Sequence, residues 1–308
     1  MYLRMKTSEI LKCISSIVEK SGSVSRIVSV VHLKELKEEL NIQHDNGYFS
    51  EDFYEERLTS FKFHNPTSFT EAKSIIIIAV PQPTVVLIFR WNGTDQQVII
   101  PPTYDYSANT EMKRRLKEVL NPEGFNLFPT SIPLKLLAVR SGLAEYGRNN
   151  ICYIPGKGSF FRLMAFFTDL QCSEYTWRLP VIMEKCLKCK ACLVACPLGA
   201  IDEQRFLLYA ERCLTFHNEH SGDFPKNIDR LLHHCLFGCL KCQIVCPENR
   251  KQLKWMEERM QFSEYETIAI LNGIPIDQIP KSTKQKLSKL GLIDDYPLLV
   301  RNLSVLLN

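Results

Sequence analysis

Two cysteine runs in the second half of this 308-residue chain constrain its fold more than any other feature. The first is Cys186-x2-Cys189-x2-Cys192-x3-Cys196-Pro197, and the second is Cys239-x2-Cys242-x3-Cys246-Pro247, with Cys213 between them. Thiolate sulfur is the preferred ligand of iron–sulfur clusters. Three cysteines spaced by two residues let one tight loop wrap three corners of a cubane, while the fourth, before proline, ligates the other cluster. Cluster one would then take Cys186, Cys189, Cys192 and Cys246. Cluster two would take Cys239, Cys242, Cys196 and one more thiol from outside the second run. Cys213 is the choice for that place, and Cys235 is its competitor. CxxC pairs also serve zinc, but zinc ribbons show two separated pairs rather than an interlocked pattern. The spacing therefore points to two 4Fe–4S clusters and a protein that moves electrons.

The rest of the composition describes the setting. With 45% apolar and 23% charged residues the chain reads as an ordinary globular protein. Its length suits two domains, or one large core with an appended module. Twelve cysteines would suggest disulfides in a secreted chain, but eight of them have reduced, metal-binding spacing, which points to a reducing cytoplasm. The first twenty residues form an amphipathic pattern with charges throughout and no apolar signal core. No apolar run approaches the length of a membrane span, so no membrane association is expected. A net charge of +4 permits a nucleic-acid partner without arguing for one.

Residues 1–70 read as mostly helical, with Leu11, Ile14, Ile17 and Val18 on one face of the first helix. Ser74–Val80 is a continuous β-branched run that suits a strand covered on both faces, ended by Pro81-Gln82-Pro83. Val85–Trp91 and Gln97–Ile100 read as strands of a hairpin turning at Asn92-Gly93. A basic helix follows over Glu111–Leu120, then an apolar one over Pro133–Arg140. Strands are expected over Asn150–Ile154 and Phe160–Phe167. The expected organisation is an α+β chain: a mixed-sheet cofactor and substrate domain over 1–180, a two-cluster ferredoxin-like module over 181–250, and a short helical tail over 251–308.

A two-cluster ferredoxin needs far fewer residues than this, so the first domain must house something else. Its most informative stretch is Ser141-Gly142-Leu143-Ala144-Glu145-Tyr146-Gly147-Arg148-Asn149-Asn150. Gly142 and Gly147 permit close backbone approach or positive φ, and Arg148, Asn149 and Asn150 offer donors beside them. Lys157-Gly158-Ser159-Phe160-Phe161 and Thr168-Asp169-Leu170 follow. Read alone, such a loop is more often a plain turn than a binding site.

The order of these segments, followed by the two cysteine runs, resembles the epoxyqueuosine reductase family. Those enzymes carry AGLGWIGKN-like, GSWFF-like and TDL-like segments before the first run, and a GCxxCQxxCP run that here reads Gly238-Cys239-Leu240-Lys241-Cys242-Gln243-Ile244-Val245-Cys246-Pro247. The strand ending in Pro-x-Pro and the helix after Tyr104-Asp105-Tyr106 are also similar, so the likeness covers roughly residues 70–250. The resemblance, which extends to reductive dehalogenases, implies a nitroreductase-like α/β domain holding a base-off cobalamin, fed with electrons by the two clusters. It further implies reduction of an epoxide on a tRNA-borne nucleoside to an alkene. In such a scheme the cofactor carries the difficult chemistry and the protein orients it. The cofactor-binding residues so implied are Gly142, Tyr146, Gly147, Arg148, Asn149, Asn150, Gly158 and Ser159.

One departure stands out. The family has an Asp-Ser-Ala-Pro-like segment whose aspartate is the proton donor, where this chain has Thr130-Ser131-Ile132-Pro133. A threonine hydroxyl is a very poor acid near neutral pH. The proton must come from another group, with Asp105, Tyr104 and Tyr106 as candidates, or the substrate differs. A non-catalytic electron-transfer protein without cobalamin is the rival reading. His217, His220, His233 and His234 read as surface or supporting residues near the clusters, and Cys13, Cys152 and Cys172 as buried small apolar residues. Lys113-Arg114-Arg115-Lys117 is a solvated face or a contact for tRNA phosphates. Lys185, Lys188 and Lys190 crowd cluster one and suit an acidic, low-potential donor such as flavodoxin or ferredoxin. There is no P-loop and no dinucleotide glycine fingerprint, which argues against direct use of NAD(P)H.

Overall fold

The computed structural model describes residues 5–172 and 176–308. The chain divides into two compact units, each discontinuous in sequence: unit 1 comprises Met1–Pro81 and Tyr106–Cys189, and unit 2 comprises Gln82–Asp105 and Lys190–Asn308. The unit boundaries thus fall at 81/82, 105/106 and 189/190, whereas sequence patterns divide the chain at 180 and 250.

Unit 1 contains the helices α1 (Thr7–Lys20), α2 (Leu33–Asp45), α3 (Glu51–Arg57), α4 (Ser107–Leu120) and α5 (Leu134–Arg140). Its four-stranded antiparallel sheet has the order β1 (Val24–Ser29), β2 (Ser74–Pro81), β8 (Phe161–Thr168), β5 (Leu127–Pro129). The isoleucine run behaves as its composition demands: Ile75 to Ala79 have no exposed surface. One face packs on α1 and α4 through Ile10, Ile14, Val18, Met112 and Leu116, and α5 also packs on β2 and β8. The first helix buries Ile10, Ile14 and Val18, while Leu11 and Ile17 lie half-buried beside that stripe. β1 was not foreseen in the expected helical stretch. Its hexapeptide VSRIVS is too short to carry a clear period, and it becomes a strand by pairing with the isoleucine run, Ile27 opposite Ile76.

Unit 2 is built on a three-stranded sheet with β3 (Thr84–Trp91) between β4 (Thr94–Ile100) and β9 (Met256–Phe262). The β3–β4 hairpin turns at Asn92 and Gly93, both with positive φ (52° and 74°), the geometry that two-residue turns require. β9 corrects the expectation of an all-helical tail. MEERMQF is polar and would not be read as a strand, but it runs parallel to β3 as an edge strand. Phe262 at its end stacks on Phe89 with ring centroids 4.5 Å apart and planes 2° apart. Around this pair, α9 (Glu264–Leu271), α10 (Lys281–Leu290) and α11 (Tyr296–Leu307) contribute Ile270, Leu287, Leu299 and Leu303. Leu236 and Phe237, just before Cys239, belong to the same core. Three short helices complete the unit: α6 (Ala191–Ala195), α7 (Leu214–Glu219) and α8 (Lys241–Ile244). No helix among the described residues is long and apolar enough to cross a membrane.

α9 opens with a capping box, Ser263 accepting from the Glu266 backbone N–H and Glu266 accepting from that of Ser263. The Glu266 carboxylate is buried and also takes hydrogen bonds from Ser282 (3.1 Å), Thr283 (3.2 Å) and Lys286 (2.6 Å), tying α9 to α10. Burial pushes its pKa up, but these donors outweigh it and hold the carboxyl below its ordinary value of 4.5. A lowered carboxylate pKa contributes stability above the unfolded value and loses it as pH falls through the folded one. Glu266→Gln is therefore expected to lower stability at pH 7, and the gap between variant and wild type should close as the pH falls below about 4.5, read from urea midpoints across that range. Phe262→Ala should cost about 3–5 kcal/mol in the same measurement, since it removes a fully buried ring and leaves a cavity beside Phe89.

Candidate metal centres

None of the twelve cysteines forms a disulfide. Eight of them lie in the two runs and Cys213, and unit 2 holds six of these: Cys192, Cys196, Cys213, Cys239, Cys242 and Cys246. α6 and α8 carry equivalent parts of the two runs and pack against each other. Each run ends in Cys-Pro, and proline excludes the helical region for the residue before it. Cys196 (ψ 113°) and Cys246 (ψ 123°) are accordingly extended, so each leaves the loop that holds its neighbours. That is the local basis for expecting these two thiols to serve the opposite site.

The arrangement is most explicit around Cys239. Burial pushes its thiol up to about 12, and the neighbouring sulfurs of Cys213 and Cys196 push in the same direction. Three sulfurs in mutual electrostatic contact in a half-dry setting are unfavourable as isolated thiolates. They suit a bound cationic metal core that neutralises them. Backbone donors add to this, since the Ala200 N–H points at Cys196 Sγ (3.2 Å). His234 stands next to Cys239, with its Nε2 3.9 Å from Sγ. Its Nδ1 donates to the Leu232 carbonyl (2.9 Å), which leaves Nε2 to accept the Leu240 N–H (3.4 Å). His233 is buried, and burial, His234 and Arg301 push it down to about 4, so it is neutral near pH 7. Cys235 is fully buried, and burial together with Cys239 raises its pKa far above the ordinary thiol value.

Cys186 and Cys189 belong to unit 1, where Cys186 ends a short 3₁₀ turn over Glu184–Cys186 and the Cys189 N–H donates back to the Cys186 carbonyl (3.3 Å). The glycine-bearing loop of unit 1 holds this segment. Arg148 donates to the Cys186 carbonyl (2.8 Å), and the Met183 N–H donates to the Tyr146 carbonyl (2.8 Å). Tyr146 lies on β6 (Glu145–Tyr146), paired with β7 (Cys152–Tyr153), and burial first, then Cys152 and Glu39, hold its phenol well above the ordinary range. Gly147 lies where an added Cβ would stand 2.5 Å from the Tyr153 ring and 2.6 Å from Asn149 Oδ1. Asn149 donates to the Tyr153 hydroxyl (3.1 Å), and Asn150 takes a positive φ of 53° while its N–H closes a turn onto Gly147. Gly142 has φ +70° and ends α5, with Thr176 3.1 Å from its hypothetical Cβ. Gly158 closes the tight turn back to Ile154, and Ser159 beside it is buried. Within unit 1 the space spared by Gly142 and Gly147 is taken by the chain's own side chains rather than left as an open cradle.

Thr130, at the place of the expected acid, and the three proton-donor candidates are divided between the units. In unit 1, Thr130 donates its hydroxyl to the Ala165 carbonyl on β8 (3.2 Å), and Tyr106 lies under the Arg162 guanidinium, 4.0 Å from the ring centroid. In unit 2, Asp105 forms an ion pair with Arg259 (2.5 Å), and Tyr104 donates to Glu219. Glu219 was not singled out in the sequence, where nothing marks it beyond its place at the end of a short helix. Tyr104 also packs over Gly238, one residue before Cys239, where an added Cβ would collide with its hydroxyl. In the basic run, Arg114 and Arg115 are tied to Glu111, and Arg114 also to Glu118, so two of its four charges are neutralised on the helix itself. Cys152 and Cys172 are buried as expected, but Cys13 is only half-buried.

The 4Fe–4S double cluster binding domain family matches residues 185–249. In sequence, the epoxyqueuosine reductase of Pseudomonas aeruginosa is 34% identical over 147 residues, covering 46% of this chain and 38% of that protein. That of Salmonella typhimurium is 32% identical over 190 residues, covering 59% and 46%. The matched stretch thus spans less than half the length of either relative. The solved structure of epoxyqueuosine reductase from Streptococcus thermophilus superposes with a TM-score of 0.65 at 21% identity, covering 97% of this chain and 80% of that one. An epoxyqueuosine reductase solved with an epoxyqueuosine-modified tRNA stem loop gives 0.63 at 20% identity, with 97% and 80% covered. The chain is thus similar to epoxyqueuosine reductases, in sequence over about half its length and in fold over nearly all of it, and its two cysteine runs lie within the stretch that matches the 4Fe–4S double cluster binding domain family.

Proposed function

We propose that this chain is an iron–sulfur reductase of the epoxyqueuosine reductase type. The observation that carries the reading is the interlocked pair of cysteine runs inside the double cluster match. Cys186, Cys189, Cys192 and Cys246 are the proposed ligands of cluster one, and Cys196, Cys213, Cys239 and Cys242 those of cluster two. When bound, such clusters supply electrons one at a time at potentials set by hydrogen bonds to sulfur and by burial. The chain's own contribution is to orient and screen them. Arg148 and Tyr146 hold the backbone that carries Cys186, and the Ala200 N–H supports Cys196. His234, with Nε2 as acceptor, and neutral His233 add no positive charge beside Cys239, where Lys241, through its backbone N–H and its ammonium, opposes the repulsion of the neighbouring sulfurs.

Cobalamin and a tRNA-borne epoxide belong to this reading through the resemblance alone. The loop over 142–150 supports the cysteine segment, and within unit 1 the room spared by its glycines is filled by Tyr153, Asn149 and Thr176. Of the three proton-donor candidates, Tyr104 is the one whose proton is held in a hydrogen bond to a carboxylate, that of Glu219. It is the proposed replacement for the acid that Thr130 cannot provide. A flavodoxin or ferredoxin is the proposed electron donor.

A second reading, an electron carrier without cobalamin, is favoured by the commitment of the Thr130 hydroxyl to the Ala165 carbonyl, which leaves no acid at that place. Anaerobic purification from cobalamin-supplemented cells, with iron and cobalt determined per chain and an EPR spectrum, separates the two. About eight irons and an equimolar base-off Co(II) signal are expected for the reductase. The same iron with no cobalt after reconstitution would remove cobalamin and leave the carrier, and two zinc ions in place of iron would overturn both.

A further inference from the structure

The C-terminal helix α11 is tied to two of the three segments that carry the proposed ligands of cluster two, those of Cys213 and Cys239. Arg301 donates from Nη1 to the carbonyls of His220 (2.6 Å) and Gly222 (2.8 Å), and from Nη2 to those of His217 (2.9 Å) and Asn218 (3.0 Å). These carbonyls lie in the last turn of α7 and just beyond it, where a helix has no partners of its own to offer. Cys213 is the residue that begins the same helix. The next residue, Asn302, is fully buried and donates to the carbonyls of Asn218 (2.9 Å) and Leu236 (2.7 Å). Asn218, also fully buried, donates to the Gly238 carbonyl (2.6 Å), and Gly238 precedes Cys239. The Cys213 arm and the Cys239 arm are thus bound to each other through Asn218, and both are bound to two consecutive residues of α11.

Short helices and turns cannot by themselves hold several sulfurs together against their mutual repulsion. A guanidinium fork with four carbonyl acceptors, and a buried amide with two, fix those arms in a setting where an unpaired carbonyl would be costly. We propose that Arg301 and Asn302 are positioning residues for cluster two, holding the Cys213 and Cys239 arms at the separation the cluster requires. This makes α11 part of the frame of an electron-transfer centre rather than a cap on the core. The inference rests on the proposed ligation of cluster two by Cys196, Cys213, Cys239 and Cys242.

The test uses the full-length chain, reconstituted anaerobically, as wild type and as Arg301→Lys, Asn302→Ala and Cys213→Ser. The EPR signal altered in Cys213→Ser identifies cluster two. Arg301→Lys and Asn302→Ala are expected to keep the wild-type circular dichroism, to release cluster-two iron to a chelator roughly tenfold faster or more, and to shift that cluster's midpoint potential, with the cluster-one signal unmoved. Unchanged release and potential at cluster two, or an equal change at both clusters, would overturn the proposal. If Asn302→Ala does not fold, Arg301→Lys decides alone, because the position is half-buried and the charge is kept. If Cys213→Ser leaves both signals intact, the ligand assignment has failed, and the inference falls with it.

Discussion

The stacking of Phe262 on Phe89 is the contact on which the second half of the molecule depends. It fixes β9 beside β3 and closes a core between strands from early in the chain and helices from its end. Leu236 and Phe237 enter that core directly, and the Leu236 N–H donates to the Ile99 carbonyl (2.7 Å) on β4. The segment that leads into Cys239 is thus fixed by a hydrophobic core and a sheet edge before any metal chemistry is considered. A cluster loop is usually thought of as organised by its metal. Here the second run is also organised from behind, by apolar burial.

The electrostatics around Cys239 complement this arrangement. Several sulfurs are brought into repulsion with Cys239, and His233 nearby is kept neutral, by burial first and then by the neighbouring His234 and Arg301. Relief comes from the Lys241 ammonium and from backbone N–H groups such as those of Lys241 and Ala200, and a bound metal core would add to it. Unit 1 uses a different device for Cys186, a buried arginine that reaches the backbone carbonyl rather than the sulfur. In both places the protein fixes the main chain that carries the cysteines.

Much of this was legible in the sequence, for identifiable physical reasons. Cysteine spacing is a strong signal because thiolate geometry tolerates few alternatives. The isoleucine run could only be a buried strand, and Asn92-Gly93 could only be a tight turn. β9 was illegible because an edge strand needs only its backbone to pair, so the polar heptapeptide MEERMQF gives no period to detect. The 142–150 loop was ambiguous in kind. A glycine that spares room for a ligand and one that spares room for Tyr153 look the same in one dimension, and only the position of the tyrosine ring tells them apart. Glu219 as partner of Tyr104 and Arg301 as partner of the α7 carbonyls could not be inferred, because each contact joins residues far apart in sequence.

The route of the chain through its two units bears on how the protein is made. β3 and β4 are translated early, yet the strand and helices that cover them come last, after all of the cysteines have been translated. Throughout that interval the hairpin has an uncovered apolar face, and the thiols lie on arms whose buried amide partners do not yet exist. Pairings so distant in sequence form slowly and leave sticky intermediates exposed. The frame of the second site is therefore complete only once β9 and α9 to α11 have been translated, well after the thiols it holds.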